Sequence, residues 1–132
     1  MKTKCSAIAI AIAVALCGMT RAQELVRYNF QGETGDHAFT AAEFEDPCVT
    51  ALPFERSADL TPFIGANSIN SSNWAVGRYY SFGFTVAPGF QANLTSLEIG
   101  SRSSGTGPRY FELYSSVDNF TTSLGTVEHV GT

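Results

Sequence analysis

From Tyr79 to Phe120 the chain is written in period two, and this confines it to β structure. Tyr80, Phe82, Phe84 and Val86 fall on one face of an extended strand, while Tyr79, Ser81, Gly83 and Thr85 fall on the other. Successive side chains of a strand point to opposite faces, so this spacing buries one row of rings and leaves the other outside. A helix would scatter the same rings around its whole circumference. Pro88-Gly89 predicts a turn after this strand. Leu97 and Ile99 predict the inward face of a second strand, and the loop Arg102-Ser103-Ser104-Gly105-Thr106-Gly107-Pro108-Arg109 predicts a second turn. A third strand is expected over residues 109–115, where Phe111 and Leu113 alternate with Tyr110, Glu112 and Tyr114. Apolar or aromatic groups on both faces suit a central strand, or a tyrosine face that meets a partner.

The remainder is shorter-ranged. Val26, Tyr28 and Phe30 alternate with Arg27 and Asn29, the pattern of a half-buried strand, and residues 31–36 are turn formers. Residues 37–46 fit either a strand edge or a short helical turn around Phe39, Ala42 and Phe44, ended by Pro47. Residues 48–73, punctuated by Pro53, Pro62 and Gly65, read as a long loop that either hides short strands or forms a functional rim. Val117-Asp118-Asn119-Phe120 reads as a turn, and Val127 and Val130 predict the start of a further strand. The expected fold is all-β, a jelly-roll-like antiparallel β-sandwich. About five or six strands are recognisable against the seven or more of a typical two-layer sandwich, so the domain reads as incomplete at its C-terminus.

Ahead of this domain stands a leader. Lys2 and Lys4 precede the apolar run Ala7 to Leu16, about ten residues long. A membrane-spanning helix needs roughly 20, whereas a secretory signal needs no more than this run supplies. Thr20-Arg21-Ala22 predicts cleavage before Gln23, giving a signal peptide over 1–22 and one domain over 23–132. Cys17 would be the acylated residue of a lipoprotein signal, which bulky Leu16 in front of it fits poorly. Of the three cysteines only Cys48 lies beyond the leader, so no internal disulfide is expected. Cys48 is expected to be either buried or engaged in a bond between chains. Beyond residue 22 there are five arginines, no lysine and twelve carboxylates, a formal charge of −7. Nucleic acid and anionic lipid are thereby disfavoured, because both are bound by neutralising phosphate charge. The expected location is outside the cell or on its surface, with no transmembrane span.

Trp74, then residues 79–86, Leu97, the loop 102–109 and Ser115-Ser116-Val117-Asp118-Asn119-Phe120 together resemble a recurrent bacterial exported domain. Such domains stand ahead of a C-terminal Pro-Glu-Pro (PEP-CTERM-like) sorting signal or another surface anchor. The resemblance covers roughly residues 23 to 130 and is densest from Trp74 to Phe120. It implies a jelly-roll-like sandwich outside the cell; the closing strands and the sorting signal of that pattern are missing here. It implies no established activity.

Candidate binding groups are weighed on chemistry. Arg102 and Arg109 bracket the glycine loop, either as a clamp for an anionic or sugar ligand or as partners of Glu98, Glu112 or Asp118. Gly105-Thr106-Gly107 has neither the lysine nor the following helix of a phosphate loop. Trp74, Tyr79, Tyr110 and Tyr114 offer flat rings that would stack on sugars if exposed, or pack against a second layer if not. Glu43, Glu45 and Asp46, with Asp36 nearby, are weak calcium candidates: oxygen donors of the right kind, at the spacing of no known calcium loop. His37, His129 and Cys48 lack zinc spacing. No serine stands in a nucleophile elbow and no pair of carboxylates can be placed across a cleft, so no catalytic residue and no cofactor are assigned. Asn70, Asn93 and Asn119 open sequons that matter only in a eukaryotic source. The expected role is non-catalytic, structural or adhesive, at the cell envelope or in the extracellular matrix. The alternative is a carbohydrate-binding module accessory to a secreted hydrolase.

Overall fold

The computed structural model describes residues 23–129; the expected leader, its expected cleavage point and Val130 lie outside the described residues. Nine strands follow one another: β1 (Val26–Tyr28), β2 (Phe39–Thr40), β3 (Ala42–Glu45), β4 (Val49–Arg56), β5 (Thr61–Pro62), β6 (Ser71–Ser72), β7 (Tyr80–Val86), β8 (Tyr110–Leu113) and β9 (Gly125–Glu128), with one 3-10 turn at Ser116–Asp118. All strand pairs are antiparallel. They form one three-stranded sheet, β2-β4-β7, and the two-stranded sheets β1-β3, β5-β6 and β8-β9, none of them closed. The chain is all-β and sandwich-like.

The alternating rows place a ring cluster between β1 and the β4–β7 pair. Phe54 is its centre. Its ring lies 5.2 Å from Phe82 in a parallel stack, 5.2 Å edge-on from Phe30, 5.7 Å edge-on from Tyr28 and 5.6 Å from Tyr80. Tyr80 in turn meets Trp74 edge-on at 5.2 Å. Offset and edge-on pairs of this kind add to the gain from removing ring area from water. Tyr28 also needs a place for its hydroxyl: it donates to the carbonyls of Leu52 and Gly83, clamping β4 and β7 from outside. Burial beside those carbonyls pushes the Tyr28 phenol up from its ordinary pKa.

Residues 48–73 do hide strands: the short β5 and β6, and β4, which is longer than the loop-like composition suggested. Among the described residues β4 is the longest strand, and it is the middle one of its sheet. Its register against β7 slips between Leu52 and Glu55, and Pro53 sits in that irregularity. A proline has no N–H to give a ladder, so a bulge is where a central strand tolerates one. The slip also flips which residues face inward: Val49 and Ala51 before it, Phe54 and Arg56 after it.

The expected strand around Leu97 and Ile99 is absent. Residues 90–104 have no regular structure, and Leu97 and Ile99 are 52% and 41% exposed. No neighbouring strand lies alongside to pair their backbone, so two alternating apolar residues do not make a strand here. The third expected strand forms as β8, with β9 its one partner, so β8 is not central. Residues 37–46 resolve into the two short strands β2 and β3.

A polar interlock holds the loops at one end of the three-stranded sheet. The Arg56 guanidinium donates to the carbonyls of His37 (2.6 Å), Gly35 (2.9 Å), Asn70 (3.2 Å) and Asp36 (3.5 Å), and to the Ser71 hydroxyl (3.1 Å). Ser71 also receives the Tyr80 hydroxyl at 2.9 Å, and its carbonyl receives the Trp74 indole N–H at 3.1 Å. Gly35, buried with φ +92°, is where the two loops touch: a Cβ there would land 2.5 Å from the Gly65 backbone. Only glycine meets both conditions.

Candidate functional site

β8 and β9 position the tyrosines. Directly opposed residues are Tyr110–Glu128, Phe111–Val127, Glu112–Thr126 and Leu113–Gly125. Opposed residues share a face and alternate residues change face. One face therefore carries Tyr110, Glu112, Thr126 and Glu128, and the other carries Phe111, Leu113 and Val127. Tyr114 continues the first face: its hydroxyl donates to Glu112 Oε2 at 2.6 Å. Tyr110 and Tyr114 thus face outward together, 55% and 41% exposed. The Tyr110 hydroxyl reaches Glu128 Oε1 at 3.4 Å. Both phenol oxygens are engaged with carboxylates, which holds the rings in place and leaves ring surface to solvent. The bond to Glu112 pushes the Tyr114 phenol up from its ordinary pKa, because an ionised phenol has no proton to donate and meets the carboxylate charge.

At the Tyr110 end of this strip the glycine loop closes a cleft of about 340 Å³, lined by Ser103, Ser104, Gly105, Gly107, Arg109, Glu128 and His129. That volume is at the low end for small-ligand sites. Arg109 forms one wall. Its Nε and a terminal nitrogen donate to Glu128 Oε1 at 2.8 and 2.6 Å, and its guanidinium lies 5.6 Å over the Tyr110 ring. At Gly107 a Cβ would meet the Ser103 hydroxyl, which would have to rotate away, and neither Gly105 nor Gly107 takes a positive φ. Gly105 has open space around it, so close packing bears on Gly107 alone and neither glycine is there for an unusual backbone angle. The far end of the strip is fixed by Asp118, whose carboxylate accepts from the backbone N–H of Thr122 (2.9 Å) and Thr121 (3.3 Å). Bonding with Thr122 first, and then Thr121, holds that carboxyl below its usual range.

The other candidates separate. Trp74 is half-buried in the ring cluster, with its N–H spent on Ser71, and is not part of the strip. Tyr79 is exposed but stands beside β7. Arg102 is exposed, does not line the cleft and makes no hydrogen bond or ion pair with the described residues, so the two arginines form no clamp. Arg109 pairs with Glu128, a carboxylate that neighbourhood in sequence did not suggest; the strand register brings it there.

The calcium candidates are each tied to a different donor. Glu43 accepts from Asn29 and Arg27, which hold its carboxyl below the usual range. Glu45 accepts from the Ala51 N–H at 2.7 Å. Asp46 is buried and accepts from the Cys48 N–H and from Gln23. Asp36 accepts from the Thr34 hydroxyl. Among the described residues no three His, Cys, Asp or Glu side chains gather as a metal site. Cys48 itself is half-buried in the turn before β4.

One arrangement escaped the sequence reading. His37 Nε2 lies 2.7 Å from the Thr40 hydroxyl, and its Nδ1 lies 3.6 Å from Glu33 Oε2. Hydroxyl, imidazole and carboxylate in line are the elements of a nucleophile triad. Thr40 is, however, 4% exposed within β2, and neither it nor His37 lines the cleft beside Arg109 or the one beside Arg56. The spacing of these three residues, three and four apart, was the one available signal.

Comparison with protein-family models, with curated proteins and with solved structures finds no match to this chain. Among the described residues no helix is long and apolar enough to cross a membrane. What the site can do follows from its own side chains: offer ring faces, accept hydrogen bonds at carboxylates and donate from Arg109 and the loop serines.

Proposed function

We propose that this chain is an exported, non-catalytic module with a structural or adhesive role at the cell envelope or in the extracellular matrix. The observation that carries the reading is the outward strip of β8–β9, where Tyr110 and Tyr114 stand exposed beside a polar cleft. Exposed aromatic surface framed by polar groups marks an interaction face. The burial of Thr40 supports the non-catalytic part, since a nucleophile must meet its substrate. The leader over residues 1–22 and the likeness to bacterial surface domains support the location.

A second reading, a carbohydrate-binding module accessory to a hydrolase, is favoured by the two tyrosines sharing one face with carboxylates between them. Expression of the full chain with its leader, followed by fractionation and N-terminal sequencing, tests the main proposal. The expected product begins at Gln23, is found outside the cytoplasm and is retained on isolated envelope or matrix material. A chain that stays in the cytoplasm with Met1 intact, or one that is exported and adheres to nothing, overturns it.

A further inference from the structure

We infer that the outward face of β8–β9 binds a neutral oligosaccharide, laid along the strand over Tyr110 and Tyr114, with Glu112 accepting from its hydroxyls between the two rings. This rests on the adhesive reading above and names its ligand class.

Tyr110 and Tyr114 are four residues apart on one face, a Cα separation of about 13 Å at the rise of an antiparallel strand. A monosaccharide cannot cover both; a short oligosaccharide can. Each ring offers the two properties a sugar uses, an apolar face for its C–H surface and a polar rim. The rings are held: Tyr114 by its 2.6 Å bond to Glu112, Tyr110 by Glu128 and by the Arg109 guanidinium over it. Preorganised aromatic groups lose little freedom on binding.

Charge narrows the ligand. Glu112 and Glu128 flank the rings, and the chain beyond residue 22 carries twelve carboxylates against five arginines. An anionic glycan would meet like charge, and Arg109, the cation at the strip, already serves Glu128. A protein with an apolar docking surface fits no better, because it would strip water from carboxylates without replacing their hydrogen bonds. Sugar hydroxyls supply those donors. Thr126, opposite Glu112, adds a hydroxyl that gives or takes a bond. At the Tyr110 end, the cleft between the serine-rich loop and Arg109 is where the end of the chain would lodge.

Isothermal titration of the exported chain with neutral tetrasaccharides and with tetrasaccharides of uronic acids tests the assignment. Neutral ligands are expected to bind and uronates to bind at least tenfold more weakly. Y110A and Y114A are each expected to weaken binding by about tenfold or more, whereas Y114F, which keeps the ring face and loses the bond to Glu112, weakens it by about threefold, less than either alanine variant. E112Q is expected to weaken it severalfold while near-ultraviolet dichroism stays native. Neutral-sugar binding indifferent to both alanine variants, or tighter binding of uronates, overturns the inference. So does adhesion to envelope material with no glycan bound, and that result leaves the adhesive role standing. An exported chain that neither adheres nor binds sugar overturns both.

Discussion

At the scale of single residues, two side chains show how context sets a property that identity alone does not. Tyr114 is an exposed phenol, and exposure by itself would leave its titration ordinary; the bond to Glu112 raises it. The bond exists only while the phenol keeps its proton. Its contribution is therefore complete below the ordinary phenol value of about 10 and is lost as pH rises through the higher folded value. Absorbance titration of the wild type is expected to show three tyrosines ionising late, Tyr28 and Tyr80 through burial and Tyr114 through its bond to Glu112, and E112Q is expected to return one of the three to the ordinary range. Three late tyrosines persisting in E112Q would mean another group causes the Tyr114 shift. Phe54 is the opposite case, a half-buried ring whose identity matters because four other rings meet it. Phe54→Ala removes all four contacts at once. Urea unfolding is expected to show a loss of about 3 kcal/mol, the low end for phenylalanine because the site is not sealed from water. A loss below about 1 kcal/mol would show that the cluster does not hold β1 to β4 and β7.

At the scale of elements, what could be read from residues was what repeats with one period. β1, β7 and β8 carry unbroken alternation, so their existence was legible, and with β8 came the pairing of Tyr110 and Tyr114 on one side. In β7 the expected inward row holds for Tyr80, Phe82 and Phe84 but not for Val86, which is exposed, and Ser81 and Gly83 opposite are half-buried too. β4 was not legible, because its slip at Pro53 changes the inward set from Val49 and Ala51 to Phe54 and Arg56, and no single period-two template spans both halves. Leu97 and Ile99 failed for the reverse reason: alternation was present but no strand came alongside, and pairing is a property of distant residues. Of the candidate site, the tyrosines and Arg109 were legible, but Glu128 was not, since only the register of β9 delivers it. Arg56 was invisible for a different reason. Its partners are backbone carbonyls of residues 35–37 and 70, and carbonyls leave no trace in side-chain pattern. A planar fork suits five donors to acceptors at fixed angles; an ammonium group has three donors and no plane. Arg56→Lys is accordingly expected to cost about 1–2 kcal/mol in urea unfolding, by stranding half-buried carbonyls. An unchanged midpoint would mean that water replaces the guanidinium without loss.

At the scale of the whole molecule, support is distributed unevenly. The ring cluster and the Arg56 interlock both lie in residues 23–89, around the β2-β4-β7 sheet. β8 and β9 pair with each other alone, and Phe111, on the face away from the tyrosines, packs against His129 rather than against the cluster. A two-stranded ribbon by itself is marginal in water. Amide hydrogen exchange should therefore rank the two parts: the N–H groups of β4 and β7 slowest, those of β8 and β9 faster by at least about tenfold. Because a ligand that binds only the ordered ribbon stabilises it by mass action, saturating neutral oligosaccharide should slow exchange in β8 and β9 and leave β4 and β7 nearly unchanged. Slowing throughout the chain would mean that the ribbon and the sheet open as one unit. Equal rates without ligand would mean the same, and would require that contacts from residues 90–104 hold the ribbon to the sheet. The uneven pattern has a functional consequence: the core then acts as a fixed mount, and a ligand lying along β8 over rings already held by Glu112 and Glu128 adds its binding free energy to the stability of the ribbon alone.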